Sequence, residues 1–209
     1  MAGFLIRQRF LLKKRMMFVI RLFQAILFFV GFCNIAVSES AIDSSTAAVI
    51  LEPIKGEGGV QVPPDDYLLR VSHLCKLHGA YLIIDDVQTG FCRTGKLFAI
   101  EHSAKNIEAD FIAKGKGKGK GNGKGRGLAG GFPIAAFAIS KALSVSIEKG
   151  GHSGTYCGDP LGGAVVAAVV SHLTENKLSE KVARKGQIVG ASLCGLAEKY
   201  PDLIKEVRG

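Results

Sequence analysis

Apolar positions fall in blocks whose spacing changes along the chain. Ala47–Glu52 is a continuous β-prone run closed by Pro53, which reads as a strand. Pro63-Pro-Asp-Asp66 then opens a helix and Gly79 stops it, with Leu68, Val71, Leu74 and Cys75 on one face. Tyr81–Ile84 is a second short apolar run, read as a buried strand that ends abruptly in Asp85 and Asp86. A loop over 99–110 leads to Asp110-Phe-Ile-Ala-Lys114, and Ile134–Ile139 is a further strand candidate after Phe132-Pro133. Leu161–Thr174 is apolar and rich in small residues, which suits a tightly packed buried helix. Lys177–Tyr200 is amphipathic, with Leu178, Val182, Val189, Leu193 and Leu196 recurring.

The N-terminus has a different pattern. Six cations and no acid occupy residues 1–21, and Leu22–Val37 carries no charge. Sixteen residues are short for a bilayer span of about 20. The order of basic and then apolar residues fits a signal peptide or signal anchor, and the lack of acids also fits a mitochondrial presequence. Membrane attachment through residues 16–37 is one reading, and sequence that is not native to the following domain is another. Residues 1–38 are therefore expected to be a separate unit, of which 1–37 pack poorly on the rest, with a polar linker over 39–46 and the main domain over 47–209.

The net charge of +9 changes little in this picture. A second group of six cations lies at 114–126, and outside these two segments acids outnumber Lys and Arg. Basicity is thus local and does not mark the main domain as a nucleic-acid binder. Residues 115–126 alternate glycine with mostly lysine, a low-complexity insertion expected to form a poorly defined loop. All its glycines have odd numbers. The phosphate-binding Gly-x-Gly-x-x-Gly and Gly-x-x-x-x-Gly-Lys patterns each need two glycines an odd distance apart, so the run contains neither. It also lacks the aromatics of a single-strand binder. Five scattered cysteines without a Cys-x-x-Cys spacing read as reduced thiols. His73 and His78 read as surface or capping residues, and no metal site is expected.

Chemistry concentrates where the 81–84 run ends. Ligand sites of open α/β sheets lie at the carboxyl ends of strands. Side chains alternate on a strand, so Asp85 and Val87 point one way and Asp86 the other. A carboxylate beside a flat apolar contact suits a protonated heteroaromatic ring. The stretch Asp85-Asp-Val-Gln-Thr-Gly-Phe-Cys-Arg-Thr-Gly95 resembles the signature of the class III aminotransferases, pyridoxal-phosphate enzymes of fold type I. Their usual form has Glu at the Asp86 position and Gly at the Cys92 position. The resemblance extends to Glu52-Pro-Ile-Lys-Gly-Glu-Gly-Gly59, to Gly127-Leu-Ala-Gly-Gly-Phe-Pro-Ile134, and to Gly151-His-Ser-Gly-Thr-Tyr-Cys-Gly-Asp-Pro160, where Cys157 and Asp159 replace Gly and Asn. It covers about Ala47 to Gly209, and residues 63–68 are most similar to the acetylornithine, ornithine and 4-aminobutyrate branch.

The resemblance implies an α/β fold, a fragment of the fold type I large domain with a mostly parallel sheet and flanking helices. It implies pyridoxal 5'-phosphate as cofactor and transfer of an amino group between an amino acid, including omega-amino acids, and a 2-oxo acid. It further implies a homodimer in the cytoplasm or mitochondrion. Carried over by position, Lys114 attaches the cofactor through its amine and Asp85 pairs with the ring nitrogen. Val87 covers the ring, Gln88 lies near the ring hydroxyl, Thr155 reaches the phosphate of the neighbouring subunit, and Glu57 serves the substrate site. Lys114 lies 29 positions after Asp85, as expected for the family, but Lys116 and Lys124 in the insertion stay open as alternatives. Asp85 and Lys114 are expected to stand at the ends of neighbouring strands and to face one cavity. Opposite faces would remove the aminotransferase mechanism from this chain altogether. The family's phosphate cup precedes the Glu-Pro-Ile motif and has no counterpart here, so the chain is expected to be incomplete. Two other readings stand beside the enzyme: a non-catalytic remnant, and a membrane- or nucleic-acid-associating protein acting through residues 1–37 and 115–127.

Overall fold

The computed structural model describes residues 26–28, 34–103, 107–114, 127–148, 154 and 157–209. Most of the basic and apolar N-terminus, all of the 115–126 insertion, and Thr155 lie outside these residues. Five strands form one sheet in chain order: β1 (Ile26–Phe28), β2 (Ala48–Leu51), β3 (Tyr81–Asp85), β4 (Phe111–Lys114) and β5 (Ala136–Ile139). The first four are parallel and β5 runs antiparallel to β4. The α/β class and mostly parallel sheet expected from the sequence are those observed.

The helices are α1 (Ile35–Ala41), α2 (Tyr67–His78), the short α3 (Lys141–Ser144), α4 (Pro160–Glu175) and α5 (Leu178–Lys199), with a 3₁₀ turn at Ala99–His102. Helix α2 forms as its pattern predicts. Its buried residues are Tyr67, Leu68, Val71, Ser72 and Cys75. These pack on Val49, Leu51, Leu82 and Ile84 of the sheet, with Ile112 of β4 at the margin. A fully buried aliphatic side chain of this kind contributes ~1.5–3 kcal/mol through the area it removes from water. Gly79 ends the helix at φ +69° and donates its N–H to the Cys75 and Lys76 carbonyls. A Cβ there would meet no atom within 4 Å, so the left-handed backbone is the only obstacle to a side chain. Gly79→Ala is expected to lower unfolding stability by roughly 1 kcal/mol, read as a shifted urea midpoint at unchanged m-value.

Two boundaries differ from expectation. The division at residue 38 falls inside α1. Asn34 caps that helix by accepting from the Ala36 N–H at 3.0 Å, and Ser38 is completely buried with its hydroxyl 3.3 Å from that of Tyr67. The stretch expected as a linker is the end of α1 and then a turn held by the Thr46 N–H to the Asp43 carbonyl. Its polar residues satisfy helix and turn hydrogen bonds, which composition alone reads as looseness. Likewise Ile26–Phe28, assigned to a poorly packing unit, pairs in parallel with Ala48–Ile50. The pairing satisfies backbone groups that β2 would otherwise leave open along its edge.

The third difference is in the last two helices. Both form where the periodicity places them, but only Gly162 of α4 is buried and α5 buries no residue. Leu161, Ile188 and Val189 are more than half exposed. The buried helix expected over 161–174 is therefore an exposed one here.

Candidate active site

The carboxyl edge of the sheet brings together the ends of β3 and β4. Register decides which side chains meet there. Asp85 pairs with Ala113, Ile84 with Ile112 and Ile83 with Phe111. Paired residues on neighbouring strands share a face, and successive residues alternate. Leu82, Ile84 and Ile112 belong to the face covered by α2. Asp86 and Lys114 continue that face, while Asp85 and Ala113 continue the other, where Tyr81 and Phe111 meet edge-to-face at 6.4 Å.

Electrostatics agree with the register. Asp86 is completely buried. It accepts from the Thr89 hydroxyl at 2.5 Å and from the Ala99 N–H at 3.1 Å, which fastens the loop after β3 to the 3₁₀ turn. Burial pushes its carboxyl up to about 6. The bonds from Thr89 and Ala99 and the charge of Lys114 pull down, and Asp85 adds a small push upward. Lys114 is half-buried, with its ammonium 3.4 Å from the centroid of the Phe98 ring. That distance is a cation–π contact. Burial lowers the Lys114 pKa, opposed by the charges of Asp86 and Glu101. Glu101 is held close by accepting from the Phe98 N–H at 2.8 Å.

Asp85 stands at the carboxyl end of a parallel strand, as expected, and Lys114 at the end of its neighbour. The expectation that their side chains face one cavity is not met. Asp85 lies on the face opposite Lys114, and its Oδ1 accepts from the Val87 N–H at 3.1 Å. The physical reason is one residue of register. A spacing of 29 is odd, and pairing Asp85 with Ala113 consumes 28, so the lysine falls on the alternate face.

The remaining predicted residues divide. Val87 and Gln88 are half-buried in the turn after β3. The Gln88 carboxamide lies against the 52–61 loop so closely that a Cβ on Gly56 would come within 2.2 Å of its Oε1. That contact brings Gln88 beside the loop of Glu57, whose own side chain is exposed. The Gly56 N–H donates to Glu52 at 3.0 Å, which shapes the loop. Thr155, Lys116 and Lys124 lie outside the described residues. Cys92, in a position where glycine is usual for the signature, takes φ +66° and is buried. The loop thus keeps its left-handed turn in spite of the side chain. Reading the sequence missed Phe98 and Glu101, which carry no local signal, and treated Asp86 as a charge-conserving replacement. The Asp-x-x-Thr spacing of Asp86 and Thr89 is the one signal that pointed to its buried bond.

Residues 32–209 match the family model of the class-III aminotransferases. The chain is 39% identical over 171 residues to the acetylornithine aminotransferase of Methanopyrus kandleri, covering 82% of this chain and 40% of that protein. The ornithine aminotransferase of Toxoplasma gondii ME49 superimposes with a TM-score of 0.74 at 33% identity, covering 86% of this chain and 40% of that one. A second T. gondii ornithine aminotransferase structure, described with partial occupancy of PLP at its active site, superimposes at 0.68 with 32% identity, over 78% and 36% of the two chains. The chain therefore spans about 40% of the length of the curated relative it matches. The match takes in the signature at 85–95 and all of α1 to α5, and the chain belongs to the class-III aminotransferases.

Proposed function

We propose that the chain carries the lysine-bearing sheet edge of a pyridoxal-phosphate-dependent transaminase acting on an amino acid and a 2-oxo acid. The observation that carries this reading is Lys114: a half-buried amine with a lowered pKa, at the carboxyl end of the strand beside the one that ends in Asp85. A lysine whose charged form is penalised by burial gives up its proton more readily to become the neutral nucleophile that cofactor attachment needs. The residues fit the group in kind, since amine, carboxylate and flat apolar side chain all stand at one sheet edge, although strand alternation starts Asp85 and Lys114 from opposite faces of it.

The bound cofactor would supply an electron-accepting ring. Around it, Lys114 would hold the aldehyde carbon and carry a proton between the two substrate carbons. Asp85 would keep the proton on the ring nitrogen, Val87 would cover a ring face and Gln88 would orient the ring hydroxyl. Glu57 would face the substrate. Thr155 would reach the phosphate of a second subunit, which makes a homodimer part of the proposal. The relatives named above suggest acetylornithine or ornithine as the donor class.

A second reading, a non-catalytic chain that binds no cofactor, is favoured by one observation: Asp85 and Lys114 occupy alternate faces. Incubation of the purified chain with pyridoxal 5'-phosphate, followed by borohydride reduction and peptide mapping, separates the two. A stoichiometric reduced adduct on Lys114 supports the transaminase reading. No adduct at millimolar cofactor, with native circular dichroism, supports the non-catalytic one.

A further inference from the structure

We propose that Asp86, not Asp85, is the carboxylate that positions the Lys114 amine in this chain, together with the Phe98 ring over which the amine sits. The proposal deepens the reading of Lys114 as the reactive lysine and rests on it.

Three observations converge. The Asp86 N–H donates to the Ala113 carbonyl at 3.2 Å, which carries the β3–β4 ladder past Asp85 and sets Asp86 beside Lys114, while Asp85 pairs with Ala113 one position earlier. Asp86 cannot swing, because Thr89 and the Ala99 N–H hold it and no part of it reaches solvent. The residue preceding Ala99 is Phe98, whose ring lies under the amine. One short segment, Phe98–Glu101, thus anchors the carboxylate and walls the lysine. The charged groups coupled to Lys114 are Asp86 and Glu101, and those coupled to Asp86 are Lys114 and Asp85. Of the two acids coupled to Lys114, Glu101 is exposed and therefore screened, while Asp86 acts through the protein interior, where a charge carries further. A flexible lysine stem loses rotamer entropy when it is held, so a fixed anion and a ring contact together are what keep the amine at one place. Asp85 does neither task, since its Oδ1 is engaged by its own turn.

The test is competitive trace acetylation of the full chain without cofactor across a pH series. Labelling is localised by mass spectrometry, with exposed Lys141 as the internal reference. Asp86→Asn is expected to raise Lys114 labelling relative to Lys141 several-fold near about pH 8, because loss of the anion frees the neutral amine; one pKa unit corresponds to about tenfold. Asp86→Glu should restore the wild-type profile in large part, and Asp85→Asn should leave it unchanged. A response to Asp85→Asn equal to that of Asp86→Asn, or none to Asp86→Asn, overturns the proposal. Should Asp86→Asn not fold, Lys114→Met supplies the reciprocal measurement. Carboxyl carbon resonances should then show Asp86 titrating at higher pH than in the wild type, and an unmoved titration overturns the pairing. Labelling needs no cofactor. A positive result with no borohydride adduct leaves the pairing standing and removes the transaminase reading, and the converse removes only the pairing.

Discussion

Lys114→Ala is expected to abolish the borohydride-reduced cofactor adduct, a loss of at least about a hundredfold against the wild-type chain. Alanine has no nitrogen, and the nearby acids cannot attack an aldehyde to give a reducible product. The substitution should leave the fold intact. Lys114 is half-buried at the carboxyl end of β4, and its aromatic contact is worth about 0.5–2 kcal/mol. Loss of signal together with an unfolded chain would therefore contradict the placement. An adduct that persists at wild-type yield would move the attachment to Lys116 or Lys124 in the insertion. Peptide mapping distinguishes the three lysines directly. Retention of adduct at Lys114 in Asp85→Ala is expected too, because attachment needs the amine, and the carboxylate acts on the ring nitrogen afterwards.

Much of this arrangement was legible from the residues. The apolar runs at 47–51 and 81–84 gave strands because each is short, β-branched and closed by proline or acids. Helix α2 was readable to within a residue or two, since Pro63-Pro-Asp-Asp66 and Gly79 bracket a helical stripe. The signature at 85–95, with the spacing of 29 from Asp85 to Lys114, placed the two residues on adjacent strand ends, as found. What no residue encodes locally is the register between β3 and β4. The loop over 86–110 decides which residue of β4 sits opposite Asp85, and a slip of one changes the face of every side chain that follows. Parity was thus invisible, and with it the partner of Lys114. Residues 38–46 misled for another reason. Ser38, Asp43 and Thr46 look like linker composition, but their polar atoms meet Tyr67 and the turn backbone inside the structure. Helices α4 and α5 were readable as helices and misread as to burial, because an apolar stripe specifies that a face is to be covered without specifying that this chain covers it.

The buried carboxylate of Asp86 should give the chain a pH dependence opposite to the usual one for an acid. Most folded carboxylates are stabilised in their charged form and cost stability when protonated. Asp86 is raised from 3.8 to about 6, with burial as the leading cause. The folded chain therefore holds this proton more tightly than the unfolded chain. Between about pH 4 and about pH 6 the native state binds the extra proton, so this site's contribution rises as pH falls through 6 and levels off below the unfolded value. A shift from 3.8 to about 6 is worth about 3 kcal/mol as an order of magnitude, present below pH 4 and lost at neutral pH. Other carboxylates titrate in the same range, so the measurement is a difference between variants. Asp86→Asn keeps an acceptor for Thr89 and Ala99 and cannot ionise. Urea unfolding of both chains at pH 4.5 and pH 7.5 should show the asparagine chain gaining about 2 kcal/mol relative to wild type on going to the higher pH. An identical difference at the two pH values would mean that Asp86 does not titrate in this window and that its burial is relieved in solution. A difference of the opposite sign would mean that the Lys114 charge outweighs burial, and Lys114→Met should then reverse it.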